Sequence, residues 1–158
     1  MICIGTSGFS YKDWVGVFYP AGLPQRDWLS FYSREFNTCE INSTYYTLPS
    51  VATFKSMVSR TGDGFKFVIK ANQEMTHQRL DSSRICEAFR IALEPVTASG
   101  KLGCILAQFP YSFDYNKPNL EYLVHLKNNL KGLPLVIEFR NARWLKVEVF
   151  QWMRQHEL

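Results

Sequence analysis

The chain has 158 residues, of which 46% are hydrophobic and 20% charged, and its formal net charge is +4. This length and composition predict a single globular domain over residues 1–158 with a buried core. Its Lys and Arg residues are scattered and form no basic stripe, so a nucleic-acid partner is permitted but not indicated. The sequence contains no run of eighteen apolar residues, and residues 1–5 enter a predicted strand without a basic leader. We therefore expect a cytoplasmic protein without a membrane span.

Short apolar segments alternate with helical patterns along the whole chain. Strands are predicted at Ile2–Gly5, Thr38–Asn42, Phe65–Lys70, Leu102–Gln108 and Leu135–Arg140. Helices are predicted, from apolar residues spaced three and four apart, at Pro24–Glu35, Val51–Arg60, Ser82–Leu93, Pro118–Leu130 and Val147–His156. This repeated βα order predicts an α/β fold with a parallel sheet and right-handed crossovers.

The predicted strands begin about every 33 residues, and two α/β architectures fit that spacing. A flavodoxin-like doubly wound sheet would use five βα units. A TIM-barrel-like fold needs eight units and about 250 residues, so this chain would be the N-terminal five-eighths of a barrel, with three βα units missing. Polar residues in the strands favour the incomplete barrel, because central strands of a doubly wound sheet are almost continuously apolar. Such a barrel would expose edges at its first and fifth strands, through which an oligomer could form.

Polar side chains recur where the predicted strands end. Glu40 and Asn42 are two positions apart on one strand and therefore share a face, as do Glu138 and Arg140. Charged and amide groups are costly to bury without partners, so we expect them to meet in one site. The candidate catalytic residues are Glu40, Glu138, Lys70 and His77, and the candidate ligand-binding residues are Thr6, Ser7, Asn42, Tyr45, Gln108 and Arg140.

The residue types suggest a role for each candidate. A carboxyl group in a partly dry pocket has a raised pKa, so Glu40 and Glu138 are the candidate proton carriers. His77 lies on the loop after the third predicted strand and is a further candidate acid or base. Lys70 and Arg140 are suited to binding an anion. The alternative is a structural ion pair between one of these carboxylates and one of these cations, and the sequence leaves both interpretations open.

The aromatic segment at residues 9–20 follows the first predicted strand. Its side chains could pack on one another as a folded lid, or they could form one wall of a ligand pocket. The four cysteines contain no Cys-x-x-Cys pair and are expected to be buried, reduced thiols. Only Glu40, Glu138 and His77 could act as metal ligands at the strand ends, so no metal site is predicted and no cofactor is assigned.

Several motifs resemble the YecE-like family, which is catalogued as domain of unknown function 72. The matching residues are Gly5, Thr6, Ser7, Gly8, Tyr11, Trp14, Gly16, Phe18, Tyr19, Pro20, Phe36, Glu40, Ile41, Asn42, Ser43, Thr44, Tyr45, Tyr46, Leu48, Pro49, Lys70, Thr76, His77, Leu102, Gly103, Gln108, Glu138, Phe139, Arg140 and Trp144. The resemblance runs across essentially the whole chain. It implies a TIM-barrel-like fold that continues for about a hundred residues beyond Leu158, and it implies no established activity. Family members often carry His where this chain has Asn141, which weakens any proton-transfer scheme that depends on that position.

Three functional hypotheses follow from these observations. The leading one is a binding or enzymatic site at the C-terminal strand ends for a small polar or anionic ligand, such as a sugar or a phosphorylated metabolite. One alternative is a nucleic-acid binding or repair protein, in which exposed aromatic side chains stack on bases. The other alternative is a truncated fragment without activity of its own.

Overall fold

Five parallel strands and five α-helices alternate along the chain in a computed structural model that describes residues 2–80 and 82–158. Met1 and Asp81 lie outside the described residues. The strands are β1 (Gly5–Ser7), β2 (Thr38–Ile41), β3 (Lys66–Lys70), β4 (Leu102–Phe109) and β5 (Leu135–Phe139). The helices are α1 (Trp28–Glu35), α2 (Val51–Ser59), α3 (Ser82–Ala98), α4 (Lys117–Asn129) and α5 (Val147–Gln155). None of these described helices is long and apolar enough to cross a membrane.

The strands form one sheet in the order β1-β2-β3-β4-β5, and every neighbouring pair is parallel. The predicted α/β fold with a parallel sheet is therefore confirmed. A flavodoxin-like sheet has the order 2-1-3-4-5, so the doubly wound alternative is wrong. The register places Ser7 opposite Glu40, and Gln108 opposite Glu138. Polar residues from neighbouring strands consequently project from the same end and the same face of the sheet.

The two faces of the sheet differ in their burial. One face carries Cys39, Phe67 and Ile105, which are fully buried in the hydrophobic core. Helices α2, α3 and α4 pack against one another in chain order and contribute to that core. On the opposite face, Val68 and Leu106 remain partly exposed. The core therefore lies between the helices and one face of the sheet, and the polar strand ends belong to the more open face.

Strand β1 begins three residues later than the sequence predicts. The Asn37 side chain explains this shift, because it donates to the Ile2 carbonyl (3.1 Å) and accepts from the Ile4 amide (2.7 Å). These bonds use backbone groups that a strand would pair with its neighbour, and both isoleucines are exposed. At Gly5 a Cβ atom would lie 1.9 Å from the Thr38 carbonyl oxygen, so this close strand pairing requires glycine.

Two predicted helices also have different ends. Residues 25–27 form a 3₁₀ turn, and the α-helix begins only at Trp28. Helix α3 continues through Pro95 to Ala98, although the sequence predicts an end at Leu93. Leu93 and Val96 flank the proline and are fully buried, so core packing offsets the backbone hydrogen bond that Pro95 cannot make.

The cysteines are free and only partly match the expectation of buried thiols. Cys39 and Cys86 are buried, and burial raises the pKa of Cys39 to about 11 and that of Cys86 to about 12. Cys104 is half-buried on the open face of the sheet, whereas Cys3 is exposed. The exposure of Cys3 follows from the later start of β1, which leaves this residue outside the sheet.

Candidate functional site

A cleft of about 400 Å³ lies where the C-terminal ends of β1 to β4 meet. Six of the ten predicted site residues line it: Ser7, Asn42, Tyr45, Lys70, His77 and Gln108. Tyr11 and Tyr46 also line the cleft and were not among the predicted site residues. The expected convergence at the strand ends therefore holds for these six side chains, and Glu40, Glu138, Arg140 and Thr6 lie outside the lining.

Ser7, Glu40 and Asn42 form a hydrogen-bonded chain at one side of the cleft. The Asn42 amide donates to Ser7 Oγ (2.6 Å), and the Ser7 hydroxyl donates to Glu40 Oε1 (3.2 Å). Tyr11 is fixed beside them, because its hydroxyl donates to the Ser7 carbonyl oxygen. Gly8 makes this position of the Tyr11 ring possible, since its φ is +93° and a Cβ atom there would lie 2.7 Å from the Tyr11 hydroxyl. Glu40 is thus connected to the cleft through Ser7.

Lys70, Tyr45 and His77 form the other side of the cleft. Lys70 Nζ lies 5.8 Å from the centroid of the Tyr45 ring, within the range of a cation–π contact. The rings of Tyr45 and His77 meet edge to face, with their centroids 5.1 Å apart. In the described part of the chain no carboxylate lies within salt-bridge distance of Lys70 Nζ. The positive charge of Lys70 is therefore available to a ligand.

His77 lies on an unusual backbone segment. Residues Glu74–Gln78 form a single π-helical turn, a geometry that is frequent at functional sites. Arg79 follows with a φ of +53°, donates to the Thr76 carbonyl (3.1 Å), and holds its guanidinium group 4.9 Å from the Phe113 ring. His77 Nδ1 is hydrogen-bonded to Thr76 Oγ1 (2.9 Å), which leaves Nε2 for other partners. These contacts fix the orientation of the imidazole at the cleft.

The protonation of His77 is shifted by its surroundings. Partial desolvation, together with the positive charges of Arg79 and Lys70, lowers the pKa of His77 from its usual value of 6.5. The imidazole is consequently neutral near pH 7, when it can either donate or accept a proton. An anion bound between His77 and Lys70 would favour the protonated form and raise this pKa.

Gln108, Glu138 and Arg140 form a second polar group beside the cleft. Gln108 donates to Glu138 Oε1 (2.6 Å), and Arg140 Nε donates to the same oxygen (2.8 Å). The structure therefore shows for Glu138 the ion pair that the sequence leaves open as the alternative to proton transfer. Arg140 is likewise engaged, and its contact with the cleft is indirect, through Glu138 and Gln108.

Thr6 is on the opposite side of the sheet from the cleft. Its hydroxyl donates to the Gly8 carbonyl (2.6 Å), and its amide donates to the hydroxyl of Tyr32 on α1 (2.8 Å). Tyr32 is fully buried in the core. Thr6 therefore fixes β1 to α1 and does not reach the cleft, contrary to its predicted role as a ligand contact. The reason is strand alternation, which points Thr6 and Ser7 in opposite directions.

The aromatic segment at residues 9–20 combines the two roles that the sequence leaves open. Tyr19 is almost fully buried and stacks on Trp28 with ring centroids 4.8 Å apart. Trp14 packs edge to face on Phe18 at 5.3 Å. Tyr11, in contrast, is exposed and lines the cleft. The segment is thus mainly a packed loop that presents Tyr11 as one wall of the site.

Two buried polar residues that the sequence interpretation missed hold the site loops together. The Thr44 hydroxyl lies 2.6 Å from the Lys70 carbonyl and 2.9 Å from the Ile41 carbonyl, as a donor to both. The Asn72 amide donates to the Thr44 carbonyl (3.0 Å), and Asn72 Oδ1 accepts from the Glu74 amide (3.0 Å). These bonds tie the loop after β2 to the loop after β3. The sequence signal that could have identified them is a polar residue within four positions of the end of each strand.

Asn141 has a structural role in this chain. It is buried, accepts from the Arg143 amide (3.0 Å) and donates to the Tyr111 carbonyl (2.9 Å). It thereby begins the short turn that places Trp144 in the core, where the Trp144 indole donates to the Phe113 carbonyl (2.7 Å). Asn141 is not part of the cleft lining.

The lining of the cleft combines hydrogen-bonding side chains with one lysine. Within residues 2–80 and 82–158, no group of three or more His, Cys, Asp or Glu side chains is placed to hold a metal ion. The described lining of the cleft includes one lysine, one histidine, two amides and three tyrosines, and it includes no carboxylate. Hydrogen-bond donors and one uncompensated positive charge are the groups that bind a phosphate or carboxylate.

Fold and site together define a class: a parallel α/β protein with a polar, positively charged cleft at the carboxyl ends of its strands. The sequence model of the family described as "Protein of unknown function DUF72" matches residues 3–158, so the chain belongs to that family. The resemblance to the YecE-like family is therefore confirmed.

Three known proteins are similar to this chain. UPF0759 protein YunF of Bacillus subtilis (strain 168) is 33% identical over 157 residues, which are 96% of this chain and 55% of YunF. UPF0759 protein YecE of Escherichia coli (strain K12) is 29% identical over 136 residues, which are 84% of this chain and 45% of YecE. A crystal structure of a DUF72 family protein from Thermotoga maritima MSB8 has a TM-score of 0.88 and 35% identity, covering 100% of this chain and 63% of that protein. The chain thus spans about half the length of the curated relatives it matches.

Proposed function

We propose that the cleft binds a small anionic ligand, such as a phosphorylated or carboxylated sugar. The observation that carries this proposal is Lys70, whose ammonium group has no carboxylate partner in the described residues and lines the cleft beside an aromatic ring. An ion pair with a ligand would compensate this charge. The exposed ring of Tyr46 and the half-buried ring of Tyr45 add flat apolar surfaces of the kind on which a sugar ring can pack.

The proposal includes a TIM-barrel-like fold for the whole family member. It is supported by the sequential order of the five parallel strands and by helices that pack beside one another in chain order. In a complete barrel, ligand sites lie at the C-terminal ends of the strands, which is where this cleft lies. On this proposal the described chain supplies five of eight βα units, and the remaining units would add further groups to the site.

Each residue around the cleft has a role in the proposed binding. Lys70 holds the negative charge, while the amides of Asn42 and Gln108 orient the polar groups of the ligand. His77, neutral near pH 7, exchanges a proton with the bound anion. If the ligand is also converted, Glu40 is the carboxylate best placed to transfer a proton, because Ser7 connects it to the cleft.

The two alternatives from the sequence receive no support of their own. The similar proteins are described only as members of families of unknown function, so they favour neither nucleic-acid binding nor an inactive fragment. The anion proposal is preferred because it follows from the lining of a specific cleft.

Isothermal titration with glucose 6-phosphate, inorganic phosphate and uncharged glucose tests the proposal. We expect the two anions to bind and Lys70→Met to weaken them about tenfold or more, since a charge-assisted hydrogen bond contributes about 1.5–3 kcal/mol. The matched control is Lys66→Met, which removes the same charge from the same strand and face at its other end. Equal weakening in both variants, or no anion binding by the unmodified protein, would reject an anion site at Lys70.

A further inference from the structure

A second recess, of about 280 Å³, adjoins the anion cleft. It lies between the loop after β1, the end of β2 and one face of α2, and its apolar lining residues include Phe9, Pro49 and Met57. Tyr11 and Asn42 line both the recess and the cleft, so the two spaces share a wall. The proposed binding of a small anion uses only the cleft and leaves this recess without a role.

The walls of the recess are held in place by the core. Phe9 is partly buried and packs on the core residue Tyr32, with ring centroids 6.2 Å apart. The shared wall is also fixed, since Tyr11 packs on Trp14 at 4.9 Å and donates to the Ser7 carbonyl. The recess is therefore preformed and mainly apolar, with the Glu40 carboxylate also in its lining, and it lies beside the cleft that holds Lys70. A mainly apolar lining with a few polar groups is the usual composition of a small-molecule pocket.

Met57 and Thr53 come from one face of α2, four residues apart, and both line the recess. Met57 is half-buried, and its flexible thioether side chain adapts readily to apolar groups of different shape. Thr53 is exposed, which places it at the solvent side of the recess. An apolar group lying here would displace water from Met57 and Phe9 and gain hydrophobic free energy.

We propose that the ligand is amphiphilic: its anionic group binds at Lys70 while an aliphatic substituent about the size of a butyl chain lies in the recess. This inference rests on the proposed anion site and names the class of ligand it takes. Tyr11 and Asn42 line both spaces, so a single molecule in contact with these two side chains can extend into both. A purely polar anion would leave the apolar recess hydrated.

Titration of two probes with the same charged group, methyl phosphate and n-butyl phosphate, tests this proposal. We expect the unmodified protein to bind n-butyl phosphate at least about tenfold more tightly, because each methylene in an apolar pocket adds affinity. Met57→Gln keeps the shape of the side chain but makes it polar, and should reduce the advantage below about threefold while methyl phosphate binding stays unchanged. Met153→Gln, at a half-buried methionine on α5, is the matched control and should keep the full advantage.

Thr53→Gln provides a second variant in case Met57→Gln unfolds, since Thr53 is exposed and the longer polar side chain would occupy the recess. If the unmodified protein binds both probes with equal affinity, the proposal of an amphiphilic ligand is overturned and the proposed anion site is unaffected. If n-butyl phosphate keeps its higher affinity in both α2 variants, its butyl group binds outside the recess. That result would also overturn the proposal of an amphiphilic ligand. Binding of neither probe would reject the anion site, and this inference with it.

Discussion

Thr44 offers the sharpest test of how the site is held together, because one buried hydroxyl connects two loops. Its side chain is fully buried, and its single proton is shared between the carbonyls of Ile41 (2.9 Å) and Lys70 (2.6 Å). We expect Thr44→Val to lower the free energy of unfolding and to weaken anion binding. Valine has nearly the same shape, so the change removes the hydrogen bonds with little loss of packing.

The size of the effect follows from these contacts. The hydroxyl has one proton to donate, so Thr44→Val removes the equivalent of one good hydrogen bond. It also leaves the two carbonyl oxygens without this donor in a buried environment. Such a loss costs about 1–3 kcal/mol. Thr97→Val is the matched control, because the Thr97 hydroxyl also donates to a backbone carbonyl, that of Leu93 (3.1 Å), but at an exposed position on α3. The control should change the free energy of unfolding by less than about 0.5 kcal/mol.

Urea unfolding followed by tryptophan fluorescence measures both variants. An unchanged slope with a lower midpoint for Thr44→Val would indicate lost stability with the same native compactness. Because the Lys70 carbonyl is one acceptor, relaxation of the backbone there should also weaken glucose 6-phosphate binding several-fold, about 1 kcal/mol. The reasoning is refuted if both variants lose the same free energy, or if Thr44→Val unfolds at the same midpoint as the unmodified protein.

Two further predictions concern a buried lysine and the cleft histidine. Lys101 is only 8% exposed and donates to the carbonyl of Val58 in the last turn of α2 (3.0 Å) and to that of Thr61 just after α2 (2.7 Å). Lys101→Met should therefore lower the free energy of unfolding by about 2–4 kcal/mol in urea, whereas the exposed control Lys117→Met should not. The lowered pKa of His77 means that the unfolded chain binds protons more readily than the folded one, so His77 makes the fold less stable as the pH falls through 6.5. Urea unfolding at about pH 7.5 and 5.5 should show that His77→Gln loses less stability on acidification than the unmodified protein. Equal losses in the two proteins would contradict a lowered pKa of His77.

The sequence predicts the order of the elements well, because βα alternation and apolar spacing depend on local patterns. It fails where one side chain decides a boundary. Asn37 binds the backbone at residues 2 and 4 and thereby delays β1. Pro95 lies inside α3 because the nearby Leu93 and Val96 are buried in the core. Such effects depend on contacts between residues distant in sequence, which a pattern of residue types does not contain.

The candidate site likewise combines features that follow from local sequence patterns with features that depend on contacts between distant residues. Strand alternation predicts that Glu40 and Asn42 share a face, and in the structure Ser7 hydrogen-bonds to both side chains. It does not reveal that Glu138 is neutralised by Arg140 on its own strand end, since an ion pair and a free carboxylate have the same sequence. Nor does it reveal Thr44, whose role depends on reaching the carbonyl of the next strand. The sequence therefore indicates which side chains can meet, and the packing of the loops decides which of them are already paired with other protein groups.

The open face of the sheet explains why the polar groups are concentrated at one end. Its central positions carry Val68, Cys104 and Leu106, which are partly exposed and apolar, and these pack best against other apolar groups. Charged residues in that central layer would have to be desolvated by whatever covers it, at a cost that pairing only partly offsets. Lys70 lies at the end of its strand and keeps contact with water, whereas Glu40 lies opposite Val68, is only partly exposed, and accepts a hydrogen bond from Ser7 (3.2 Å). The apolar layer therefore separates Lys66 and Lys70 at the two ends of β3, and the carboxylate within it, Glu40, is stabilised by its hydrogen bond from Ser7.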